Sequence, residues 1–351
     1  IGTLSLLNEV KTFLKSHPVV CLLLLSPGIP EYLSSSSPIN ALALNPPMFA
    51  FQLVANLGLY GPGVLLVREA RIRWNKGLAT VLLLGAAYGV LEEGVALSTL
   101  FNPEASPVGT LGTYGHWLGV SWIWVVGILP VHMIFSITLP ILLLGLALPG
   151  TRGKNFLAGR KLELAALVLG ADVAALFLVV WRVEQFWMGW PVFLASWAAI
   201  GILVLAARRA PSKALAPKYE EPRMGPARAT VLGIVFYPAV LLSEFLPAAA
   251  NLPAAVDLVV VVAVQAAFLV CILRALGSRR NERVILSLAL GLIMPIAAFG
   301  VVAERALPLT LVADVAMVLF FVKVWRRYPT DGPQVGSEPE PAGGAPAAVY
   351  A

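Results

Sequence analysis

The chain has 351 residues, of which 59% are apolar and 13% charged, with a net charge of +6 and a mean hydropathy of +0.84. Soluble domains carry about twice that charged fraction, roughly 25%, and surface-to-volume scaling denies them a core large enough to hide so much apolar surface. The composition excludes a soluble globular protein, and two cysteines, Cys21 and Cys271, both inside apolar runs, exclude a disulfide-stapled secreted domain.

Taken in chain order, apolar runs fall at 5–28, 47–67, 77–98, 119–148, 163–181, 190–207, 230–247, 255–275, 284–302 and 307–325. About 20 helical residues cross the ~30 Å hydrocarbon layer. The pattern predicts an all-α, polytopic transmembrane helical bundle of about ten spans over residues 1–328. The first run is the weakest of the set, because its uncharged stretch from Pro18 to Ile29 is short and Lys11 and Lys15 must snorkel to the interface. Residues 329–351 are rich in Pro, Gly and Ala with few large apolar side chains, and are expected to form a disordered cytoplasmic tail.

The basic residues test the span count. With both termini cytoplasmic, the inner segments hold Lys11 and Lys15, Arg68 to Lys76, Arg152 to Lys161, Arg208 to Arg228, Arg274 to Arg283, and Lys323 to Arg327. Together these are 23 of the 25 Lys and Arg residues, and only Arg182 and Arg305 fall outside. This is the positive-inside bias. It makes the lipid bilayer of a cell membrane the partner that the basic charge serves, and leaves no need for nucleic acid. No internal repeat is visible to suggest a repeat-built transporter.

Ionisable residues inside a bilayer are costly and tend to be functional. The third run contains the adjacent pair Glu92–Glu93, and the fourth contains His132 and Ser136, four apart and therefore on one helix face, bracketed by Pro130 and Pro140. These prolines free backbone carbonyls that need partners elsewhere. Glu31, Glu244 and Asp257 are expected at a similar depth, with Asp172 and Asp314 nearer mid-span. His116 lies in the 98–119 loop, where Trp117, Trp122 and Trp124 look like an interfacial belt. The Gly61-Pro62-Gly63 element reads as a kink or close-packing site. There is no Cys pair at zinc spacing, no Walker-type loop and no His-Glu-x-x-His, so no metal or other cofactor is expected.

An adjacent Glu-Glu in one transmembrane helix followed by an intramembrane His in a later one resembles the CAAX-protease and bacteriocin-processing family of intramembrane peptidases. The resemblance covers Tyr88 to Leu148. It implies a polytopic helical fold with Glu92 as general base, Glu93 as its neighbour, and His132 helping to hold water or an oxyanion. Leu97 stands where the family's Glu-Glu-x-x-x-Arg pattern has its Arg, and no Phe lies four residues before His132 or His116. Pro27 to Leu148 is also similar to prokaryotic polytopic membrane proteins with Ser-Ser-x-Pro, Arg-Glu, Glu-Glu-Gly and Ser-Ile-x-x-Pro elements, a likeness that implies no activity.

The expectation is a non-catalytic protein, either a subunit of a larger membrane assembly or a relative of the protease that has lost its chemistry. An active peptidase using Glu92, Glu93 and His132 is one alternative. A proton- or ion-linked transporter using Glu92, Glu93, Glu244 and Asp314 is the other.

Overall fold

The computed structural model describes residues 16–328 except Lys218, Arg279 and Ala306. The tail expected at 329–351 and residues 5–15 of the run at 5–28 lie outside these residues. The described chain forms ten principal helices: α1 (Pro18–Tyr32), α2 (Pro46–Arg73), α3 (Leu78–Ala96), α4 (Trp122–Ala147) and α5 (Arg160–Glu184), then α6 (Trp190–Arg209), α7 (Pro226–Ala249), α8 (Ala254–Ala275), α9 (Glu282–Ala303) and α10 (Pro308–Trp325). Among the described residues, α2 to α10 are each long and apolar enough to cross a membrane, and α1 is shorter. The β-structure described is one short hairpin in the α3–α4 connection, β1 (His116–Trp117) with β2 (Val120–Ser121).

Local chemistry sets the helix ends. Proline occupies the first turn of α2, α6, α7 and α10, where its missing N–H costs nothing. The Asn45 side chain accepts the Met48 N–H at the start of α2, and Asn281 accepts those of Arg283 and Val284 at the start of α9.

Two apolar clusters make up most of the core. One gathers Ile29 of α1, Phe236 of α7 and Ile293 of α9; the other gathers Tyr60 of α2, Leu84 of α3 and Val173 of α5. Helix α4 belongs to both, sending Phe135, Leu139 and Leu143 into the first and Ile137, Ile141 and Leu144 into the second. Helices α7 and α9 cross at Gly233 and Gly291, where an added Cβ on Gly233 would sit 2.6 Å from the Leu288 carbonyl oxygen. Small residues at such crossings let helix backbones approach in the absence of a hydrophobic driving force. Helices α5, α6 and α8 turn large apolar side chains outward, among them Leu167, Ile202 and Val259, as a lipid-facing surface requires.

The loops sort by charge to the two ends of the bundle. At the basic end, Arg68 donates to the Thr151 carbonyl at 2.7 Å, Lys76 to that of Ala210 at 2.7 Å, and Arg152 to Glu282 at 2.8 Å. At the opposite end, Asn102 donates to Glu184 at 2.7 Å, Tyr114 to the Leu252 carbonyl at 3.0 Å, and Ser35 to Glu304 at 2.8 Å. One boundary differs from the sequence expectation. The run expected to end at 67 continues as helix: α2 extends through Arg68, Arg71 and Arg73, with Arg68, Glu69 and Arg71 buried. Protein groups replace water here. Glu69 pairs with Arg68 and Arg73 and accepts the Phe156 N–H, while the Arg68 guanidinium lies 3.5 Å over the Phe156 ring.

Candidate functional site

Three helices depart from α geometry where they meet. The end of α1 (Gly28–Tyr32), the end of α3 (Val90–Ala96) and the middle of α4 (His132–Thr138) are wound as π-helix. The wider turn is visible in the Leu33 N–H to Gly28 carbonyl bond of 3.0 Å and the Leu97 N–H to Glu92 carbonyl bond of 2.9 Å. π-Turns insert a residue into a helix and concentrate at functional sites. Here they carry Glu31, the Glu92–Glu93 pair and His132.

Proline explains part of the winding in α4. Pro140 has no N–H to give the Ser136 carbonyl, and Ser26 of α1 donates its hydroxyl to that oxygen at 2.7 Å. Pro130 likewise frees the Val126 carbonyl, which accepts a 2.7 Å bond from the Gln265 side chain of α8. The partners that freed carbonyls need inside a bilayer are thus supplied by neighbouring helices.

The imidazole of His132 lies between the two carboxylates. It donates Nε2–H to Glu93 Oε1 at 2.8 Å, and Nδ1 lies 3.1 Å from Glu92 Oε2 and 3.2 Å from the Ser136 hydroxyl. All three residues are buried, with exposures of 2% for Glu92, 7% for Glu93 and 3% for His132. Glu93 is well supplied with partners, since Thr99 donates its hydroxyl to Glu93 Oε2 and Trp124 donates its indole N–H to Thr99 at 3.3 Å. Glu92 differs: its Oε2 is buried, close to Nδ1, and accepts no aligned hydrogen bond. An orphaned buried acceptor beside an ion partner is the natural seat for a water or a substrate proton.

An aromatic wall borders the cluster. The Tyr88 ring stands edge-on to His132 at 6.0 Å between centroids, and Tyr60 lies 5.9 Å from Tyr88. The Tyr60 hydroxyl donates to Glu31 Oε1 at 2.6 Å, and Ser37 donates to Glu31 Oε2 at 2.8 Å. Gly61 and Gly63 act as the close-packing site expected of them, Gly61 against Leu23 and Gly63 against the Tyr88 ring.

The structure therefore brings Glu92, Glu93, His132, Ser136 and Glu31 into one neighbourhood. It does not bring in the others. Glu244 packs against Gly127, Asp172 against Gly58, and His116 bonds the Ser121 hydroxyl at 3.0 Å within the β-hairpin. Trp124, expected in an interfacial belt, donates its indole N–H to Thr99, which in turn donates to Glu93. Tyr60, Tyr88, Thr99 and Ser26 were not singled out from the sequence, because lone aromatic or hydroxyl residues in apolar runs read as ordinary core.

Two apolar cavities run beside the cluster on the α2–α3–α5 side. One of about 510 Å³ is lined by Gly63, Leu66, Tyr88 and Leu91, and a second of about 380 Å³ by Leu66, Leu91, Val95 and Phe177. Leu91 and Tyr88 separate them from Glu92. The ligand atoms of Glu92, Glu93 and His132 also fall within 4.8 Å of one another, close enough to hold a metal ion. Because the two imidazole nitrogens face different carboxylates, such an ion would take one nitrogen and one carboxylate and leave the other carboxylate orienting the ring.

No family model, curated protein or solved structure matches this chain. The likeness to intramembrane peptidases rests on the residues alone.

Proposed function

We propose that this protein is an intramembrane hydrolase, with a membrane-resident peptide as its substrate and Glu92 as its general base. The observation that carries the reading is the asymmetry of the pair: Glu93 is occupied by His132 and Thr99, while Glu92 Oε2 is buried, 3.1 Å from His132 Nδ1, and accepts no aligned hydrogen bond. In this mechanism a water bound at Glu92 gives its proton to the carboxylate as its oxygen attacks the scissile carbonyl carbon. The carbonyl π electrons move to oxygen, where a proton on the imidazole stabilises the oxyanion. Collapse of the tetrahedral intermediate expels the amine, which takes the proton back from Glu92. Glu93 holds the ring in place, the role a carboxylate plays behind a catalytic His. The apolar cavities flanking Leu91 lie beside the cluster on its α2–α3–α5 side, with Tyr88 and Leu91 in their walls.

A second reading, a non-catalytic membrane protein, draws on one observation: Glu92 lines neither cavity and is closed off by Tyr88 and Leu91. Peptide release from co-expressed membrane peptides separates the two. Under the hydrolase reading Glu92→Gln lowers release by about 10² to 10⁴, the usual contribution of a general base. Release unchanged by Glu92→Gln would sink the proposed base and leave the non-catalytic reading.

A further inference from the structure

We propose that Tyr88 is a further catalytic residue, its hydroxyl donating a hydrogen bond to the oxyanion formed when water attacks a peptide carbonyl at Glu92. The inference rests on Glu92 being the general base. Tyr88 is buried, with an exposure of 4%, and its hydroxyl lies against the Glu92 carboxylate but aligns no hydrogen bond with it or with any other described group. Two buried polar groups are thus neighbours, and neither the Tyr88 hydroxyl nor Glu92 Oε2 has an aligned partner. Leaving buried polar atoms in that condition is costly and uncommon. A molecule that accepts from the hydroxyl and donates to the carboxylate satisfies both, as a peptide carbonyl and its attacking water do together.

The other donors described around the cluster are committed. His132 gives Nε2–H to Glu93 at 2.8 Å, and its Nδ1 is shared between Glu92 and Ser136. Tyr60 gives its hydroxyl proton to Glu31 at 2.6 Å, Thr99 gives its own to Glu93, and Trp124 gives its indole N–H to Thr99. An oxyanion is stabilised by donors oriented in advance toward the developing charge, and Tyr88 is oriented by its packing. Its ring lies against Gly63, where a side chain would collide with it, and stands edge-on to His132 at 6.0 Å between centroids. The same ring forms part of the wall of the cavity of about 510 Å³, so one residue borders both the apolar space and the base. In the proposed step the water oxygen bonds to the carbonyl carbon, its proton passes to Glu92, and the carbonyl π pair moves onto oxygen, where the Tyr88 O–H holds it. When that pair returns, the C–N bond breaks and the amine takes the proton from Glu92. Tyr88 keeps its own proton throughout.

The test compares the full-length wild type with Tyr88→Phe, Glu92→Gln and Tyr60→Phe, each purified and reconstituted into liposomes with a panel of single-span membrane peptides. Release kinetics and thermal unfolding are both read. Tyr88→Phe keeps the ring and removes only the unbonded hydroxyl. It is expected to lower kcat by about 10² to 10³, the usual cost of one oxyanion donor. It should lower kcat/KM equally, as loss of a bond made only in the transition state does, and leave the unfolding temperature no lower than that of the wild type. Tyr60→Phe strips Glu31 of a donor that it has, so it should unfold at a lower temperature. Release lowered by Glu92→Gln but unmoved by Tyr88→Phe overturns the Tyr88 inference alone. So does a rise in KM at unchanged kcat, which would make Tyr88 a binding residue, or a drop in unfolding temperature equal to that of Tyr60→Phe, which would make its hydroxyl structural. Release of none of the peptides by the wild type, or release that Glu92→Gln leaves unchanged, removes the hydrolase reading and the role of Tyr88 with it.

Discussion

Glu92 and Glu93 share a turn of α3 but not a set of partners, and substitution separates the two. Glu93→Gln leaves His132 without its 2.8 Å carboxylate partner in a buried setting. Breaking a buried pair by removing one member costs about 3–5 kcal/mol, so this variant is expected to lose stability in chemical denaturation. Glu92→Gln breaks the 3.1 Å pair with His132 Nδ1 but leaves Glu93 and Ser136 holding the ring, so its stability cost is expected to be no larger than that of Glu93→Gln while its loss of peptide release is the larger. The reverse ranking would make Glu92 a structural residue. At this scale the sequence was informative about charge and silent about shape. Glu92, Glu93 and His132 stood out because ionised groups are expensive in hydrocarbon. Tyr60 and Tyr88 are neutral and mostly apolar, so they cost far less there than an ionised group, and nothing in the chain marked them as the walls of a site.

Among the elements, α4 shows how a helix is bent to a purpose. Ser26 replaces the hydrogen bond that Pro140 cannot make to the Ser136 carbonyl. Ser26→Ala leaves that buried carbonyl wanting and should destabilise by about 1–3 kcal/mol. Pro140→Ala restores an N–H to the helix, so the same Ser26→Ala change is expected to cost less in a Pro140→Ala background. A double-mutant cycle on thermal unfolding measures the difference, and strictly additive costs would refute the pairing. The nine long spans were readable because hydropathy over some twenty residues is insensitive to one misplaced residue; predicted 190–207 and 255–275 became 190–209 and 254–275. The π-turns were not, since π and α windings of an apolar run have the same composition. The end of α2 was missed for the opposite reason. Its arginines looked like loop residues, and only tertiary partners, Glu69 and Phe156, make them tolerable in a buried helix.

For the whole molecule, the two ends of the bundle are closed by different chemistry. Basic loops grip carbonyls at one end. At the other, Glu304, just past α9, ties α9 and α10 to the segment after α1 through Asn40, Ser35 and Thr310. Burial pushes the Glu304 carboxyl up, but the hydrogen bonds from Asn40, Ser35 and Thr310 outweigh it and hold the group below its ordinary value of 4.5. A depressed folded-state pKa stabilises above the unfolded value and loses that contribution as pH falls through the folded one. Glu304→Gln is therefore expected to unfold at a lower temperature than the wild type at pH 7, with the gap closing as the pH drops below about 4.5. A gap that persists unchanged into strong acid would show that charge is not what Glu304 contributes. The π-turns have a consequence at this scale too. A π-turn is an α-helix with one residue too many, and in an ordinary helix losing a residue rotates everything beyond it by about 100°. Removing Gly94 from the turn at Val90–Ala96 would instead let α3 relax to α winding, with its two ends still in register. Such a shortened chain should still purify as a folded, monodisperse membrane protein and release no peptide, whereas a deletion within α9 should not fold. Ten helices and their lipid-facing surface would then owe nothing to the insertions. Architecture and chemistry in this protein would be heritable apart, one gained or lost by indels that leave the other standing.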